Sequence, residues 1–451
     1  MDVRESLTNG SGMDEDGNRR TLLVGAGEAL RLEELGRLVE TLGLEVVGSL
    51  YQGRRDGSGY LGRGKRQELS ELVTDSRAGF VVTDDELTAS QARVLERDSG
   101  ASVVDRTELI IRIFEAHARD RESRLEVEMA DLAYRLPRIK GRNLALSRLG
   151  GSVGGGRIAR GPGEQQLEYD RRAIRERMEK INARLKQARS SRGVRSARRR
   201  DGGPPSVALV GYTNAGKTTI LNALSGAGRS TADRLFETLE TTTRLVEGSA
   251  SGADGSESRP DFVVTDTVGF ISKLPTQLVR SFESTLEEAR YADVQVLCAD
   301  ASSPGLEGEI NTVNETLRKD WGGSRRKDAG NGSEDNSVPH ILALNKVDCI
   351  SSSRLDELLD DYPGAVPVSA ISGDMGSLLS SIHAAISHSR SRMEILVPHS
   401  EYAVVSRLYG NAEIHASRDT VQGVWLDVTL PISSVGKYSR YSVSRDSVSG
   451  P

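Results

Sequence analysis

Short apolar runs alternate with amphipathic stretches along most of this chain. A short apolar run between polar or glycine residues is typical of a strand buried on both faces of a parallel sheet. The stretches between the runs, such as Glu28–Leu42, have the spacing of helices that cover a sheet. The alternation of strand and helix predicts an α/β fold. Strands are predicted at Thr21–Val24, Glu45–Val47, Phe80–Val82, Ser102–Val104, Ser206–Val210, Asp261–Thr265, Ile341–Leu344 and Val366–Val368.

Changes in this pattern divide the chain into several parts. At 451 residues the chain is too long for one ordinary domain. A large domain with a mostly parallel sheet and flanking helices is predicted to follow a smaller α/β domain and a helical hairpin. A final strand, helix and strand predict a small α+β appendage, at Met393–Val397, Tyr402–Tyr409 and Gly423–Leu430. The predicted parts are a disordered polar tail (1–20), the first α/β domain (21–118), the hairpin (119–203), the large domain (204–390) and the C-terminal region (391–451).

The hairpin prediction rests on two apolar seams with heptad-like spacing. Pro137 is predicted to end the first helix, and Gly161-Pro162-Gly163 precedes the second. Two such helices can pair lengthwise, which predicts an antiparallel hairpin. The seam residues are Leu125, Met129, Leu132 and Leu136 in the first helix, and Leu167, Ile174, Met178, Ile181 and Leu185 in the second.

Charge is concentrated in the same region. The formal net charge of the chain is -5, but 135–200 holds 20 Lys and Arg against 5 Asp and Glu, a net of +15. Such segregation indicates a polyanionic partner. Arg148, Arg157 and Arg160 lie among glycines in the loop between the two helices, where arginine favours phosphate contacts and base stacking. We interpret the loop as an RNA-contacting tip; a flexible linker is the competing interpretation.

The composition also bears on the compartment. No apolar run approaches the length of a membrane span, and the start, MDVRESLTNG, lacks the pattern of a secretory signal. A cytoplasmic protein with no membrane partner is therefore expected. Cys298 and Cys349 are the two cysteines, so neither a disulfide framework nor a cysteine metal cluster is predicted.

The run SVALVGYTNAGKTT, Ser206–Thr219, carries the most specific chemistry in the chain. It places the pattern G-x-x-x-x-G-K-[ST] between a predicted strand and a predicted helix, which is a phosphate-binding loop. Backbone N–H groups of such a loop surround a polyphosphate, the lysine reaches the terminal phosphates, and the hydroxyl binds Mg²⁺. The predicted nucleotide-binding residues here are Gly211, Tyr212, Thr213, Asn214, Ala215, Gly216, Lys217 and Thr218, with Lys217 also catalytic.

Two further motifs follow at predicted strand ends. Asp266-Thr267-Val268-Gly269 fits the magnesium switch of a GTPase, because Asp266 can reach Mg²⁺ through a water and the Gly269 N–H can approach a terminal phosphate. Asn345-Lys346-Val347-Asp348 fits guanine reading, since the Asp348 carboxylate can accept two hydrogen bonds from guanine but not from adenine. The backbone of Ser369, Ala370 and Ile371 is expected to cover the guanine O6. Order and spacing together predict a GTPase.

The first switch and the attacking water are less well defined by the sequence. A threonine-rich segment, Leu235–Arg244, lies between the phosphate loop and Asp266, where one hydroxyl should complete the Mg²⁺ shell. Spacing alone leaves Thr238, Thr241, Thr242 and Thr243 as candidates. Phe270 occupies the place of the glutamine that orients water in many GTPases, so intrinsic hydrolysis should be slow and timed by a partner.

These motifs together resemble the HflX family of translational GTPases. The resemblance rests on RGPGEQQLEYDRR (Arg160–Arg172), VGYTNAGKTT, LFETLETTTR, DTVGFISKLP and NKVD in this order, with VVDRT, LPR and the Gly62–Lys65 loop nearer the start. It extends from about residue 21 to residue 390. Gln165 departs from the family pattern, which has threonine there, and Thr218 stands where serine is commoner.

The resemblance implies Mg²⁺-dependent hydrolysis of GTP to GDP, coupled to binding of the large ribosomal subunit, with the hairpin tip reaching ribosomal RNA. A monomer is expected. The resemblance implies that Thr218 and Thr238 are the Mg²⁺ hydroxyls and that Thr238 and Gly269 take part in catalysis with Lys217. It also implies that the first switch binds nucleotide through Phe236, Glu237, Thr238, Leu239 and Glu240.

Two other classes of function are compatible with parts of the sequence. A protein-binding switch would use the basic hairpin to dock a protein or an acidic membrane, and ribosomes would not affect its GTP turnover. A nucleic-acid-remodelling ATPase acting through the first domain would retain ATP turnover after Lys217→Ala. Gly25-Ala26-Gly27 does not extend to a full dinucleotide fingerprint, which weighs against a nucleotide site there.

Overall fold

The structure is a computed structural model that describes residues 19–27, 32–139, 162–200, 204–226, 236, 241–248, 260–273, 278, 289–321 and 340–443. It contains two compact units. The first unit is Met1–Ala188 together with Asp233–Leu239 and Lys273–Glu283. The second unit is Arg189–Ala232 together with Glu240–Ser272 and Ser284–Pro451.

The first unit contains a four-stranded parallel sheet of order β2-β1-β3-β4. Leu22, Val24 and Val81 are buried in its core, as their apolar runs predict. The sheet has the predicted α/β alternation, with β1 and β2 longer than the apolar runs alone indicate. Its elements are β1 (Arg20–Ala26), α1 (Leu32–Thr41), β2 (Glu45–Gln52), α2 (Arg63–Ser76), β3 (Phe80–Thr83), α3 (Ala89–Ser99), β4 (Ser102–Asp105) and α4 (Arg106–His117).

Two long helices follow, α5 (Arg121–Arg138) and α6 (Pro162–Arg200). The prediction that Pro137 ends the first helix is wrong, because α5 continues through it to Arg138. A proline removes one hydrogen bond to the carbonyl four residues earlier and crowds that carbonyl, and the helix ends one residue after Pro137. The second helix begins at Pro162, a favoured first position, so Gly163 lies inside it. The glycine- and arginine-rich tip lies outside the described residues.

The second unit contains a six-stranded sheet of order β10-β9-β8-β5-β7-β6, parallel except for the edge strand β6. Both faces are buried: along β8, Val296 and Cys298 pack into one core, whereas Leu297 and Ala299 pack into the other. The elements are β5 (Ser206–Gly211), α7 (Lys217–Leu224), β6 (Thr242–Val246), β7 (Phe262–Asp266), β8 (Val294–Asp300), α8 (Leu306–Trp321), β9 (His340–Asn345), α9 (Ser352–Asp361), β10 (Val366–Pro367) and α10 (Gly376–Ser389).

The C-terminal region adds a three-stranded antiparallel sheet of order β11-β13-β12, which confirms the α+β appendage. The sequence did not predict β12, because its residues, EIHASRDT, are mostly polar and lie at a sheet edge. Within the described ranges, no helix is both long enough and apolar enough to cross a membrane. The elements are β11 (Arg390–Val397), α11 (Tyr402–Asn411), β12 (Glu413–Thr420), β13 (Gly423–Pro431) and α12 (Ile432–Tyr438).

Replacing Leu426 with alanine is expected to loosen the C-terminal sheet. Leu426 lies on the central strand and is fully buried, so its truncation should cost about 2–5 kcal/mol. Hydrogen exchange at β11 and β13 should become faster in the full-length protein. Val421→Ala is the matched control, because that side chain is fully exposed and its loss should leave exchange unchanged. Equal effects of the two substitutions would contradict the assigned core.

Candidate functional site

The predicted site residues lie where neighbouring parallel strands end. Leu209 of β5 pairs in register with Asp266 of β7, and Asp300 of β8 pairs with Asn345 of β9. Because parallel strands end at the same edge of the sheet, the loops after them converge there. In open α/β sheets this edge is the usual place for a ligand.

The phosphate loop connects β5 to α7 in a conformation that two glycines permit. A Cβ at Gly211 would lie 2.2 Å from the carbonyl oxygen of Cys298. A Cβ at Gly216, which has φ +85°, would lie 2.1 Å from Asn345 Nδ2. Asn214 also has a left-handed backbone, at φ +63°. Glycine is therefore required at both positions, because Cys298 and Asn345 leave no room for a side chain on the loop.

Lys217 is buried at the start of α7. Its Nζ donates to the carbonyl oxygens of Tyr212 at 2.8 Å and Gly211 at 3.3 Å. Burial lowers the pKa of this ammonium, and the nearby Asp266 carboxylate opposes that effect. Neutral carbonyls compensate a buried cation only partly, so the site favours an anion beside Lys217 at the positive end of the helix.

The Asp266 motif lies directly against the loop. Thr218 Oγ1 donates to Asp266 Oδ2 at 2.6 Å, so the two predicted magnesium-side oxygens are adjacent. Thr267 Oγ1 donates to the carbonyl of Leu209 at 2.7 Å, which makes Thr267 a support for the strand pair. A Cβ at Gly269 would lie 2.9 Å from Thr213 Cγ2 and 3.0 Å from Thr213 Cα, so a side chain there would press against the phosphate loop. Val268 is buried.

Phe270 has a structural role that the sequence did not predict. Its side chain is buried, its N–H donates to Gly211 O at 3.0 Å, and its carbonyl accepts from Thr213 N at 2.6 Å. Ser272 N donates to the hydroxyl of Tyr212 at 2.6 Å. The segment after Gly269 is therefore fastened to the phosphate loop through its backbone.

Asn345 connects the phosphate loop to the segment after β10. Its Nδ2 donates to Ala215 O at 2.9 Å, and its Oδ1 accepts from Ala370 N at 3.1 Å. Both halves of the amide are thus engaged by backbone groups. The side chain of Ile371 is exposed, which is compatible with a contribution from its backbone alone.

The carboxylate of Asp348, which the sequence predicts to read the base, is held by the side chain of Ser369, a residue that the sequence pattern indicated only for its backbone. Ser369 Oγ donates to Asp348 Oδ1 at 2.6 Å, and the Cys349 thiol lies 3.4 Å from Oδ2. The hydrogen bond from Ser369 is the main reason that the pKa of Asp348 is below its ordinary value. The carboxylate therefore stays ionised and able to accept from a ligand. Val347 and Asp348 lie in a 3₁₀ turn, Val347–Cys349.

Asp300 at the end of β8 contacts Lys346 of the Asn-Lys-x-Asp motif, which the sequence did not predict. Its Oδ2 lies 2.6 Å from Lys346 Nζ, and its Oδ1 accepts from Ser302 N at 3.0 Å. Lys346 has a left-handed backbone at φ +63°, which is uncommon for a residue with a side chain. The ion pair with Asp300 fixes the direction of the Lys346 side chain. The sequence did contain a signal for this contact. Asp300 lies at the end of β8, and the neighbouring strand was already predicted to end at Asn345.

The first switch is only partly described. Glu237, Thr238, Leu239 and Glu240 lie outside the described residues. Phe236 is described, and it belongs to the first compact unit, where its ring lies 4.6 Å from that of Phe114. Among the alternative threonines, Thr243 shares a hydrogen bond of 3.0 Å with Thr265 within the sheet. No cluster of three or more His, Cys, Asp or Glu side chains suited to a metal occurs among the described residues.

A mostly parallel sheet that carries a phosphate loop, a switch aspartate and an Asn-Lys-x-Asp motif in this order defines a P-loop GTPase. Three family models match the chain in succession. They are described as GTP-binding GTPase N-terminal over 29–115, GTP-binding GTPase Middle Region over 117–199 and 50S ribosome-binding GTPase over 206–346.

Relatives extend the match over most of the chain. The GTPase HflX of Gluconacetobacter diazotrophicus is 34% identical over 456 residues, which cover 92% of this chain and 94% of that protein. The GTPase HflX of Caldanaerobacter subterraneus subsp. tengcongensis is 42% identical over 321 residues, which cover 71% of this chain and 69% of that protein. The chain belongs to the HflX family of GTPases, and the resemblance inferred from its motifs is confirmed.

Gly216→Ala is expected to weaken nucleotide binding by at least about tenfold. The added Cβ would displace Asn345 from the loop and would also strain a left-handed backbone. Gly226→Ala is the matched control, since Gly226 has φ +65° but no atom lies within 4 Å of the place that its Cβ would take. Calorimetric titration with GDP separates the two variants. Similar losses in both would show that backbone strain, and not the contact with Asn345, sets the requirement for glycine.

Asp348→Asn is expected to move base preference from guanine to xanthine. The amide offers a donor to the additional xanthine carbonyl and removes the acceptor for the guanine amine, so GTP affinity should fall by about 10⁴. Competition binding with GTP and XTP measures the change. Asp360→Asn, an exposed aspartate on α9, removes the same charge away from the site and should alter neither affinity. Unchanged GTP binding in Asp348→Asn would exclude the assigned role.

Proposed function

We propose that this GTPase hydrolyses GTP to GDP with Mg²⁺ and that its nucleotide state sets its affinity for the large ribosomal subunit. The observation that carries the proposal is the match of 206–346 to a family model described as a 50S ribosome-binding GTPase, in a chain whose segment 135–200 has a net charge of +15. A strongly basic segment supplies the phosphate contacts that binding to ribosomal RNA requires.

The donor chemistry around Thr218 fits Mg²⁺. A hydroxyl and a carboxylate oxygen lie 2.6 Å apart at the phosphate loop, and Mg²⁺ prefers hard oxygen ligands. Thr218 would bind the ion directly and Asp266 through a water, and family resemblance assigns the second hydroxyl to Thr238. When bound, Mg²⁺ neutralises charge on the β- and γ-phosphates. Lys217 and the backbone N–H of Gly269 would hold the terminal phosphate for attack.

The residue after the switch glycine supports slow intrinsic hydrolysis. Phe270 has a buried, apolar side chain, so it cannot orient the attacking water. Rapid turnover then requires a partner that orders the switches or supplies a polar group, as GTPase-activating partners do. In the proposed function, the large ribosomal subunit is that partner. Because ribosomal subunits are in the cytoplasm, we propose that the protein acts there. We also propose that it acts as a monomer.

The basic hairpin supports RNA as the surface that is recognised. Helix α6 has 39 residues, so it extends over about 58 Å. Ile181 and Leu185 of α6 are buried, and Arg177 donates to both oxygens of Glu128 on α5, at 2.6 and 2.8 Å. These contacts stiffen the base of the hairpin. We propose that region 119–203 is the element that reaches RNA. In the same proposal, 204–390 is the GTP-binding domain and 391–451 is a separate C-terminal region.

Purified large ribosomal subunits should accelerate GTP hydrolysis strongly, and the stimulation should weaken as salt rises, because phosphate contacts release counterions. The measurement is phosphate release with and without subunits at two salt concentrations, with Lys217→Ala as the inactive control. If the subunits do not stimulate GTP hydrolysis, or if the stimulation does not depend on salt, the result would contradict RNA recognition and favour a protein partner.

The arginines of the predicted tip offer a second arm of the same experiment. Replacing Arg148, Arg157 and Arg160 with alanine should weaken subunit binding and flatten its salt dependence while GTP affinity is unchanged. Replacing the exposed arginines Arg37, Arg93 and Arg354 with alanine removes an equal charge elsewhere and is the matched control. Equal losses of subunit binding in both triple variants would contradict a localised RNA tip.

A further inference from the structure

Lys346, in the middle of the Asn-Lys-x-Asp motif, is held by an aspartate from the neighbouring strand. It is the first residue after β9, and its Nζ lies 2.6 Å from Oδ2 of Asp300, the last residue of β8. The two strands stay in register up to this point, because Asp300 pairs with Asn345 and the Ala301 N–H donates to the Asn345 carbonyl at 2.9 Å. Neither the motif pattern nor the proposed hydrolysis of GTP assigns a task to Asp300.

The Asp300 carboxylate is itself fixed by the turn that follows β8. Its Oδ1 accepts from the backbone N–H of Ser302 at 3.0 Å and from the Ser302 hydroxyl at 2.6 Å. The backbone N–H of Ser303 donates to the Asp300 carbonyl at 3.0 Å. One carboxylate oxygen is therefore used to orient the aspartate, and the other is directed to the ammonium of Lys346.

The ion pair is largely shielded from solvent. The side chain of Asp300 is 16% exposed and that of Lys346 is 24% exposed. A free lysine side chain samples many rotamers, and a fixed, shielded partner restricts them. Lys346 also leaves the strand with a left-handed backbone, φ +63°, and the 3₁₀ turn Val347–Cys349 begins directly after it. The backbone and the ammonium of Lys346 are therefore both held in place before a ligand arrives.

Along the chain, Lys346 stands between two residues that are predicted to serve opposite ends of a guanine nucleotide. Asn345 donates to the carbonyl of Ala215 in the phosphate loop at 2.9 Å. Asp348 is the predicted acceptor for guanine, and its pKa is lowered mainly by the hydrogen bond from Ser369, with a smaller contribution from the charge of Lys346. A nucleotide that extends from the phosphate loop to Asp348 thus brings its nucleoside close to Lys346. The methylene stem of a lysine offers an apolar surface that such a group can cover.

We propose that Asp300 is a positioning residue for the binding of guanine nucleotides. It holds the ammonium of Lys346, so the stem of the lysine is already extended beside the nucleoside when the nucleotide binds. The stem covers the nucleoside without reading its hydrogen-bonding edge, which leaves the choice of base to Asp348. Ordering one long side chain in advance is worth roughly threefold to tenfold in affinity. The proposal rests on guanine-nucleotide binding and not on hydrolysis or on the ribosomal partner.

The test is calorimetric titration of the full-length chain with GDP, without ribosomes. Asp300→Asn keeps the size of the side chain and removes its charge, so GDP affinity should fall about threefold to tenfold. Asp300→Glu should restore most of the affinity, because it keeps the carboxylate and the flexible lysine stem can adjust to a longer partner. Asp293→Asn is the matched control and should leave GDP affinity unchanged. Asp293 precedes β8 at the other end of the strand, where its carboxylate accepts from Ser206 N at 2.8 Å.

A double-mutant cycle shows whether Asp300 acts through the lysine. Lys346→Met removes the ammonium and keeps an unbranched side chain of similar length. In the Lys346→Met background, Asp300→Asn should cause less than about a twofold further loss of GDP affinity, because the two residues act as one unit. Equal losses in the wild-type and Lys346→Met backgrounds would show a general structural role and overturn the proposal.

The choice of base gives a second readout. IDP lacks the exocyclic amine of GDP, so the ratio of GDP to IDP affinity reports on the edge that Asp348 is predicted to read. Asp300→Asn should leave this ratio unchanged, and a changed ratio would overturn a role through the lysine stem. A GDP affinity that is unchanged or higher in Asp300→Asn would also overturn the proposal, since a rise would mean that the ion pair must break for binding. Loss of ribosome stimulation with these results intact would overturn only the proposed function.

Discussion

The nucleotide site depends on the side-chain amide of Asn345, which holds together loops from separate parts of the chain. One end donates to Ala215 in the phosphate loop, and the other accepts from Ala370 after β10. The Nδ2 atom takes the space where a Cβ of Gly216 would be. The glycine requirement of the phosphate loop and the asparagine of the Asn-Lys-x-Asp motif, 129 positions apart, therefore express one packing constraint.

Much of this arrangement could be predicted because the information is local. A buried parallel strand is recognisable from its apolar run, and the residues at its carboxyl end must meet those of its neighbours. The phosphate loop, Asp266 and Asp348 were predicted in this way. The edge strand β12 was missed because a polar strand with one exposed side has no continuous apolar run. The helix through Pro137 was missed because a proline near a helix end is compatible with both outcomes.

Other features depend on contacts that no sequence window contains. Lys273 and Asp84 are 189 positions apart, and each taken alone is an ordinary charged residue near a turn. The ring pair of Phe114 and Phe236 has the same character. Asp300 is intermediate: its position at a strand end was visible, but its partner Lys346 was not. A feature can be predicted from the sequence when the partners of its side chains lie nearby along the chain. It is missed when those partners are far away in sequence.

Lys217 and Lys273 differ in the groups that surround their charge. At the phosphate loop, the Lys217 ammonium donates to the neutral carbonyls of Gly211 and Tyr212 and has the Asp266 charge nearby, so an arriving polyphosphate improves its environment. The ammonium of Lys273 already has the carboxylates of Asp84 and Asp85 as partners, so any displacement worsens its environment. The surroundings of Lys217 therefore suit an anionic ligand, whereas those of Lys273 suit a structural ion pair.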